Sequence, residues 1–212
     1  MQLLLLRHGE TVGNIARQLQ DEHDPLTARG RQQARALAAV LAQRGRLHAL
    51  YTSPLIRAFE TAQIIGTAVG LVPVPRPGLA EINVGSAAGL TFDEWGTRFP
   101  QQSQDFHADG VAFAWPGGES GGEVARRVAA EIDWLIAQHR DAVEPVAVVS
   151  HGGALAWAIV HLLREPGDRW PREHMRIANC AITEVEIVPE RWAAGETATF
   201  IRRNDIAHLP PD

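Results

Sequence analysis

Leu3-Leu4-Leu5-Leu6-Arg7-His8-Gly9 stands at the start of the chain and decides how the rest is read. Four uncharged apolar residues in a row suit a strand buried on both faces, as in a parallel sheet covered by helices on each side. The run stops abruptly at a cation, an imidazole and a glycine. In open α/β sheets, ligands bind just past the carboxyl ends of the strands. These three residues therefore stand where a site is expected. Arginine offers a planar fork of donors that matches phosphate or carboxylate. Histidine titrates near neutrality and can act as a nucleophile. Gly9 lets the backbone turn sharply and approach a ligand.

The same kind of ending returns late in the chain. Pro145-Val146-Ala147-Val148-Val149-Ser150 is a second buried run, and it stops at His151-Gly152-Gly153. Between the two, strand and helix signals alternate. Thr27 is placed to cap a helix through about residue 44, with Ala34, Leu37, Ala38 and Leu41 at helical spacing and Gly45 as its stop. Residues 48–52 read as a strand, and Leu55 to Val69 as a helix stopped by Gly70. Residues 71–75 read as a short strand whose two prolines suit a sheet edge or a strand end. Ser120 and Glu123 form a capping box for a helix to about His139, with Val124, Val128, Ile132 and Leu135 on one face. An apolar helix is expected from about Ala154 to Leu163, then strands over 181–188 and 197–202, and a loose tail over 204–212. This order predicts an α/β fold: one domain over residues 1–212, a three-layer sandwich with a mainly parallel central sheet flanked by helices.

Residues 76–118 break the pattern. Gly, Pro and polar residues alternate there with Trp95, Phe99, Phe106, Phe113 and Trp115, and Thr91 is placed to cap a short helix to about residue 98. Long irregular stretches in compact domains are commonly lids or binding loops, so this one is expected to cover the substrate. The competing reading makes these aromatics the core of a small subdomain.

Composition narrows the function. The 212 residues, 45% of them hydrophobic, are enough for one full-sized core. The formal charge is -5, from 25 acidic and 20 basic residues, and with no basic run nucleic-acid binding has little support. Every basic residue is Arg, and without Lys a P-loop is excluded. The single Cys180 forbids an intrachain disulfide, which agrees with a reducing compartment. No run approaches the ~20 apolar residues that span a bilayer. The sequence reads as cytoplasmic, with no membrane partner.

Two Arg, two His and a Glu then form a set. In a parallel sheet, both strand endings lie on one edge, so His8 and His151 can share a crevice. Thr52-Ser53-Pro54-Leu55-Ile56-Arg57 puts Arg57 in the first turn of a helix at that same edge. A cation sits poorly at a helix N-terminus, where acids are preferred, which suggests that Arg57 faces an anion. Glu81, in Leu79-Ala80-Glu81-Ile82-Asn83-Val84-Gly85, adds a carboxyl at the start of the irregular stretch. The cations can bind a phosphoryl group, one imidazole can attack it, and the carboxyl can protonate the leaving group.

Leu6-Arg7-His8-Gly9-Glu10-Thr11, with Asn14 six residues after His8, resembles the histidine phosphatase superfamily, also called the phosphoglycerate-mutase-like family. Further matches follow in the family's order. They are Pro25-Leu26-Thr27 with Gly30 and Gln33-Ala34, Ser53-Pro54-Leu55-Ile56-Arg57-Ala58 with Thr61-Ala62, and Leu79-x-Glu81 with Gly85 and Gly89. Gly118-Glu119-Ser120 with Arg127 and Ser150-His151-Gly152-Gly153 complete them, so that the resemblance spans roughly residues 2 to 160. It implies that His8 is the phosphorylated nucleophile. It also implies that Arg7, Asn14, Arg57, His151 and the Gly152 backbone N–H hold the phosphoryl oxygens, and that Glu81 is the acid and then the base for water. It implies no metal and no cofactor, and a small phosphate ester as substrate. Two departures stand out: Gly13 replaces the aromatic residue many members place before the pocket Asn, and Ala87-Ala88-Gly89 replaces Trp-Glu-Gly. Both suggest a wider or less polar leaving-group side.

Rival chemistries fit less well. A cysteine phosphatase needs Arg six residues after its Cys, where this chain has Glu186; Cys180 instead reads as a small buried side chain in a strand. The other histidines are scattered rather than clustered for a metal. A non-catalytic phosphoprotein-binding module is expected to lack His8, His151 or Glu81, and all three are present. A phosphomonoester hydrolase working through phosphohistidine is therefore expected, with a cofactor-dependent phosphoglycerate mutase as the alternative. The expected preference for hydrolysis comes from the stretch between Gly89 and Gly118, which offers only Arg98 and His107 as cations for a second phosphate.

Overall fold

The computed structural model describes residues 1–210, and among them six strands form one sheet in the order β3-β2-β4-β1-β5-β6. In chain order the elements are β1 (Gln2–Arg7), α1 (Val12–Ala16), α2 (Ala28–Arg44), β2 (Ala49–Thr52), α3 (Ile56–Val69) and β3 (Val74–Pro75). Then come α4 (Phe92–Arg98), α5 (Pro100–Ala108), α6 (Gly121–Gln138), β4 (Val146–Ser150), α7 (Gly152–Leu162), β5 (Ile182–Glu186), α8 (Pro189–Ala193) and β6 (Thr199–Asp205). Strands β3, β2, β4 and β1 pair in parallel, while β5 and β6 close the other side through antiparallel pairs. The fold is the expected α/β sandwich with a mainly parallel sheet.

The leucine run shows why three layers form. Successive side chains of a strand point to opposite faces. Leu3 and Leu5 join Val146 and Val148 in a core against Val124, Val128, Ile132 and Leu135 of α6 and the apolar side of α7. Leu4 and Leu6 join Ala147 and Val149 in a second core against Leu37 and Leu41 of α2 and Ala62 and Ile65 of α3. Each buried side chain of this size contributes about 1.5–3 kcal/mol through removal from water. The registers Arg7↔Ser150 and Thr52↔Val149 bring the carboxyl ends of β1, β2 and β4 level, so the residues that follow each strand share one edge.

Helix limits follow the caps. The Thr27, Thr91 and Ser120 side chains accept from the backbone N–H three residues on, and Thr91 and Ser120 have full capping boxes with Glu94 and Glu123. Five local expectations are corrected. The strand over 71–75 shrinks to Val74–Pro75 at the sheet edge. Helix α7 begins at Gly152 rather than Ala154, because His151 serves as its N-cap and the two glycines sit inside the first turn. The last strand runs on to Asp205, so the tail is not loose at its start. Asn204 N–H donates to Thr183 Oγ1, and a His208 ring nitrogen lies 3.0 Å from the Cys180 carbonyl; residues 211–212 lie outside the described residues. Cys180 precedes β5 in the left-handed region at φ 56°, and burial pushes its thiol up to about 12. The short helices α1, α5 and α8 add to the elements expected from the sequence.

In the irregular stretch the aromatics form a core of their own. Trp95, Phe106 and Trp115 are buried in a third core with Leu19, Val84 and Ala87. The rings of Trp95 and Trp115 lie 4.7 Å apart, and Phe106 meets Trp95, Phe113 and Trp170 at 5.3–5.9 Å. The aromatics pack on one another, as the subdomain reading has it, and do not line the catalytic edge.

Candidate functional site

His8, Ser53 and His151 follow β1, β2 and β4 directly, and each is fully or almost fully buried. The imidazoles of His8 and His151 meet with centroids 5.1 Å apart. His8 Nδ1 lies 2.7 Å from the Gly9 carbonyl, which can only accept. The ring proton is therefore on Nδ1, and Nε2 carries a free lone pair. Burial, and then the charges of Arg7 and Arg57, hold the His8 pKa well below its usual value. The imidazole is thus neutral and nucleophilic at neutral pH.

His151 is lowered too, by burial and then by Arg57, His8 and Arg7. Its Nε2 lies 2.7 Å from Ser53 Oγ, which also accepts from Leu55 N–H. The Ser53 proton can then go to Nε2, leaving the imidazole N–H on Nδ1. That Nδ1 is buried and has no protein partner.

Arg7 Nη1 donates to the Ile177 carbonyl, and Arg57 Nη1 to the Asp21 carbonyl. The Nε of each is buried without a partner, and neither guanidinium has an ion pair among the described residues. Burial pulls both below their ordinary pKa, while Glu81 pulls the other way. Two buried cations without an ion-pair partner cost on the order of several kcal/mol each, a cost that a bound anion offsets. Arg57, 1% exposed at the second residue of α3, is not a solvated charge. Asn14 Oδ1 accepts from Thr11 N–H and Asn179 Nδ2, so its own amide N–H groups remain for a ligand. Gly152 opens α7, where the first N–H groups have no intrahelical acceptor.

Glu81 reaches the same edge from the far side. Its Oε1 accepts from Ile82 and Ala154 N–H and its Oε2 from Gly153 N–H, so the carboxyl sits on the N-terminus of α7. A Cβ on Gly153 would lie 2.6 Å from Glu81 Oε1, which explains this glycine. Gly9 has a similar reason: its Cβ would meet the Gly30 carbonyl at 2.4 Å, so two backbones touch there, and a ligand is not the cause.

All the residues expected at the site are thus brought to one edge. Asn179 was not expected at all, and Thr61 and Arg127, quoted among the motifs, gain their roles only here. Asn179 Nδ2 donates to the His8 carbonyl and to Asn14 Oδ1, and Thr61 Oγ1 accepts from Gly9 N–H. Arg127 binds both oxygens of Glu119 and donates to the carbonyls of Gly78, Ala80 and Glu81, which fixes the loop that carries Glu81.

Comparison with known proteins gives the family. The family model described as "Histidine phosphatase superfamily (branch 1)" matches residues 3–198. The chain belongs to this superfamily. Among its relatives, the "Probable phosphoglycerate mutase GpmB" of Yersinia enterocolitica is 34% identical over 210 residues, covering 99% of this chain and 95% of the relative. The solved structure of "Mycobacterial hydrolase 1" superposes with a TM-score of 0.82 at 30% identity, over 96% of this chain and 97% of that one. A mycobacterial glucosyl-3-phosphoglycerate phosphatase, solved with VO3, gives 0.77 at 29% identity over 96% and 98%. Superfamily members are enzymes, phosphatases and mutases acting on phosphate esters, and this chain shares their fold throughout.

Proposed function

We propose that this protein is a phosphomonoester hydrolase that works through a phosphohistidine on His8 without a metal. The observation that carries this is the neutral His8, its Nε2 free and its ring 5.1 Å from that of His151, together with Arg7 Nε, Arg57 Nε and His151 Nδ1, which are buried without a partner. In the first step His8 Nε2 attacks phosphorus and the ester P–O bond breaks. Arg7, Arg57, Asn14, His151 and the Gly152 N–H take the equatorial oxygens. Glu81 gives a proton to the departing alkoxide. Oε1 already accepts two N–H bonds and Oε2 only one, so Oε2 has the room for that proton. In the second step Glu81 takes a proton from water, the water oxygen attacks phosphorus, and the P–N bond to His8 breaks. Two guanidiniums supply the charge that a metal supplies in other phosphoryl-transfer sites.

The names of the curated relatives favour a second reading, a phosphoglycerate mutase, which shares the first step. One assay separates them. With 3-phosphoglycerate and a bisphosphoglycerate primer, free phosphate is expected to outpace 2-phosphoglycerate. Activity is expected to persist in chelator and to be inhibited by vanadate. Faster isomer formation, or loss of activity in chelator with rescue by magnesium, contradicts the proposal.

The seat of Glu81 gives a further expectation. Gly153→Ala pushes a methyl into Oε1 and moves the carboxyl off α7. A displacement near 1 Å at a catalytic group costs about 10²-fold, so kcat on an alkyl phosphate should fall by about that factor. Ala is better than Gly inside a helix by about 1 kcal/mol, which offsets the loss of the Glu81 bonds to the α7 N-terminus, so the melting temperature should change little. Steady-state kinetics beside a thermal melt check both halves.

A further inference from the structure

We propose that the alcohol leaving this site carries no negative charge: the chamber beside Glu81 is built for a neutral or cationic hydroxy compound and disfavours a carboxylate or second phosphate. This rests on the phosphatase reading above and names its substrate class. The chamber is a cavity of about 470 Å³. Its charged lining is Asp21, Glu22, Glu81 and Glu119 against Arg127 alone. Arginine has five N–H donors. All five of Arg127 are occupied: Nε on Glu119 Oε1, Nη1 on the carbonyls of Gly78 and Ala80, and Nη2 on Glu119 Oε2 and the Glu81 carbonyl. Its charge is matched by Glu119, so it offers an anionic ligand neither a donor nor a net attraction.

The remaining cations of the site, Arg7 and Arg57, have their free Nε atoms in the phosphoryl pocket and are matched once a phosphate dianion is bound. That leaves Asp21 and Glu22 at the chamber wall with little to balance them: Asp21 accepts from the His23 N–H and feels Arg57, which the bound phosphate shares, and Glu22 has the exposed His23 ring at 3.3 Å. The field of this wall shows at a neighbouring group. Burial, and then Asp21, pushes the carboxyl of Asp24 up, against the opposing pull of Arg57. Gln20 and Asn83 also line the chamber. Such amides and carboxylates accept hydrogen bonds from hydroxyl or ammonium groups, while a like charge placed against them is repelled.

The test compares substrates that share a carbon skeleton. In 3-phosphoglycerate a carboxylate stands where glycerol 3-phosphate has CH2OH. Each is added as a competitor in p-nitrophenyl phosphate hydrolysis by the intact protein, and phosphate released from each is measured. Phosphoethanolamine supplies the cationic arm. The expected result is kcat/KM at least about tenfold higher for glycerol 3-phosphate and phosphoethanolamine than for 3-phosphoglycerate. The gap should narrow as salt is raised, because the responsible carboxylates are exposed. The double variant D21N/E22Q should narrow it severalfold at constant salt. Equal or better use of 3-phosphoglycerate, or a gap unmoved by the double variant, overturns the charge proposal and leaves the phosphatase reading standing. No hydrolysis of p-nitrophenyl phosphate removes the phosphatase reading, and the proposal with it.

Discussion

Replacing His8 with alanine is expected to abolish turnover, with a fall in kcat on the order of 10⁴- to 10⁶-fold, the scale seen when a covalent nucleophile is removed. The argument starts from the tautomer. The Gly9 carbonyl fixes the proton on Nδ1, which leaves Nε2 as the only nucleophilic atom of the ring. Arg7 and Arg57 reinforce burial in keeping the free imidazole neutral. A lowered pKa means the nucleophilic form persists below the usual histidine range. The acid limb of kcat/KM should therefore not appear near pH 6.5 on account of His8. The decisive measurement is mass spectrometry after mixing with substrate and quenching in alkaline denaturant, where the P–N bond survives; it should place one phosphoryl group on His8 of the native chain and none on the variant. Normal turnover by His8→Ala, or a phosphoryl group on another residue, rejects the mechanism.

The same residues show how far a sequence carries such a reading. The apolar run Leu3–Leu6 and its partner Val146–Val149 have no polar residue on either face, and that alone requires helices on both sides. Once those strands are parallel and in register, His8 and His151 must share an edge, so the heart of the site follows from periodicity. Arg57 was legible for an electrostatic reason, a cation at the wrong end of a helix. Asn179 was not. It lies 171 residues from His8, in a segment with no periodic signal, and only the closing of β5 against β1 brings it to the His8 carbonyl. The stretch from 76 to 118 was legible only in part. Its aromatics were visible, but sequence cannot say whether rings face a ligand or one another, and here Trp95, Phe106 and Trp115 face one another. The sequence places the start of the apolar helix at Ala154, whereas α7 takes in both glycines after His151, and Gly153 is required so that the Glu81 carboxyl can sit against its first turn. Long-range contacts of this kind leave no local trace.

That seat leads to the second large effect. Glu81→Gln is expected to lower kcat by about 10²- to 10⁴-fold on an alkyl phosphate, the usual scale of general acid–base help. Glutamine keeps the side-chain oxygen that can accept from Ala154 and Ile82, but it has no proton to give to an alkoxide and cannot take one from water. The two half-reactions separate these roles. With p-nitrophenyl phosphate the leaving group departs without protonation, so the first step should lose little. The second step still needs a base, so the variant should accumulate phosphohistidine on His8. Rapid-quench kinetics should then show a burst of p-nitrophenol followed by slow turnover, where the native protein on the same substrate shows a smaller burst or none. On an alkyl phosphate both steps are slowed and the burst should vanish. A variant that loses the same factor on both substrates, with no accumulated phosphoenzyme, would place Glu81 among the groups that merely hold the α7 N-terminus and assign the proton to another residue.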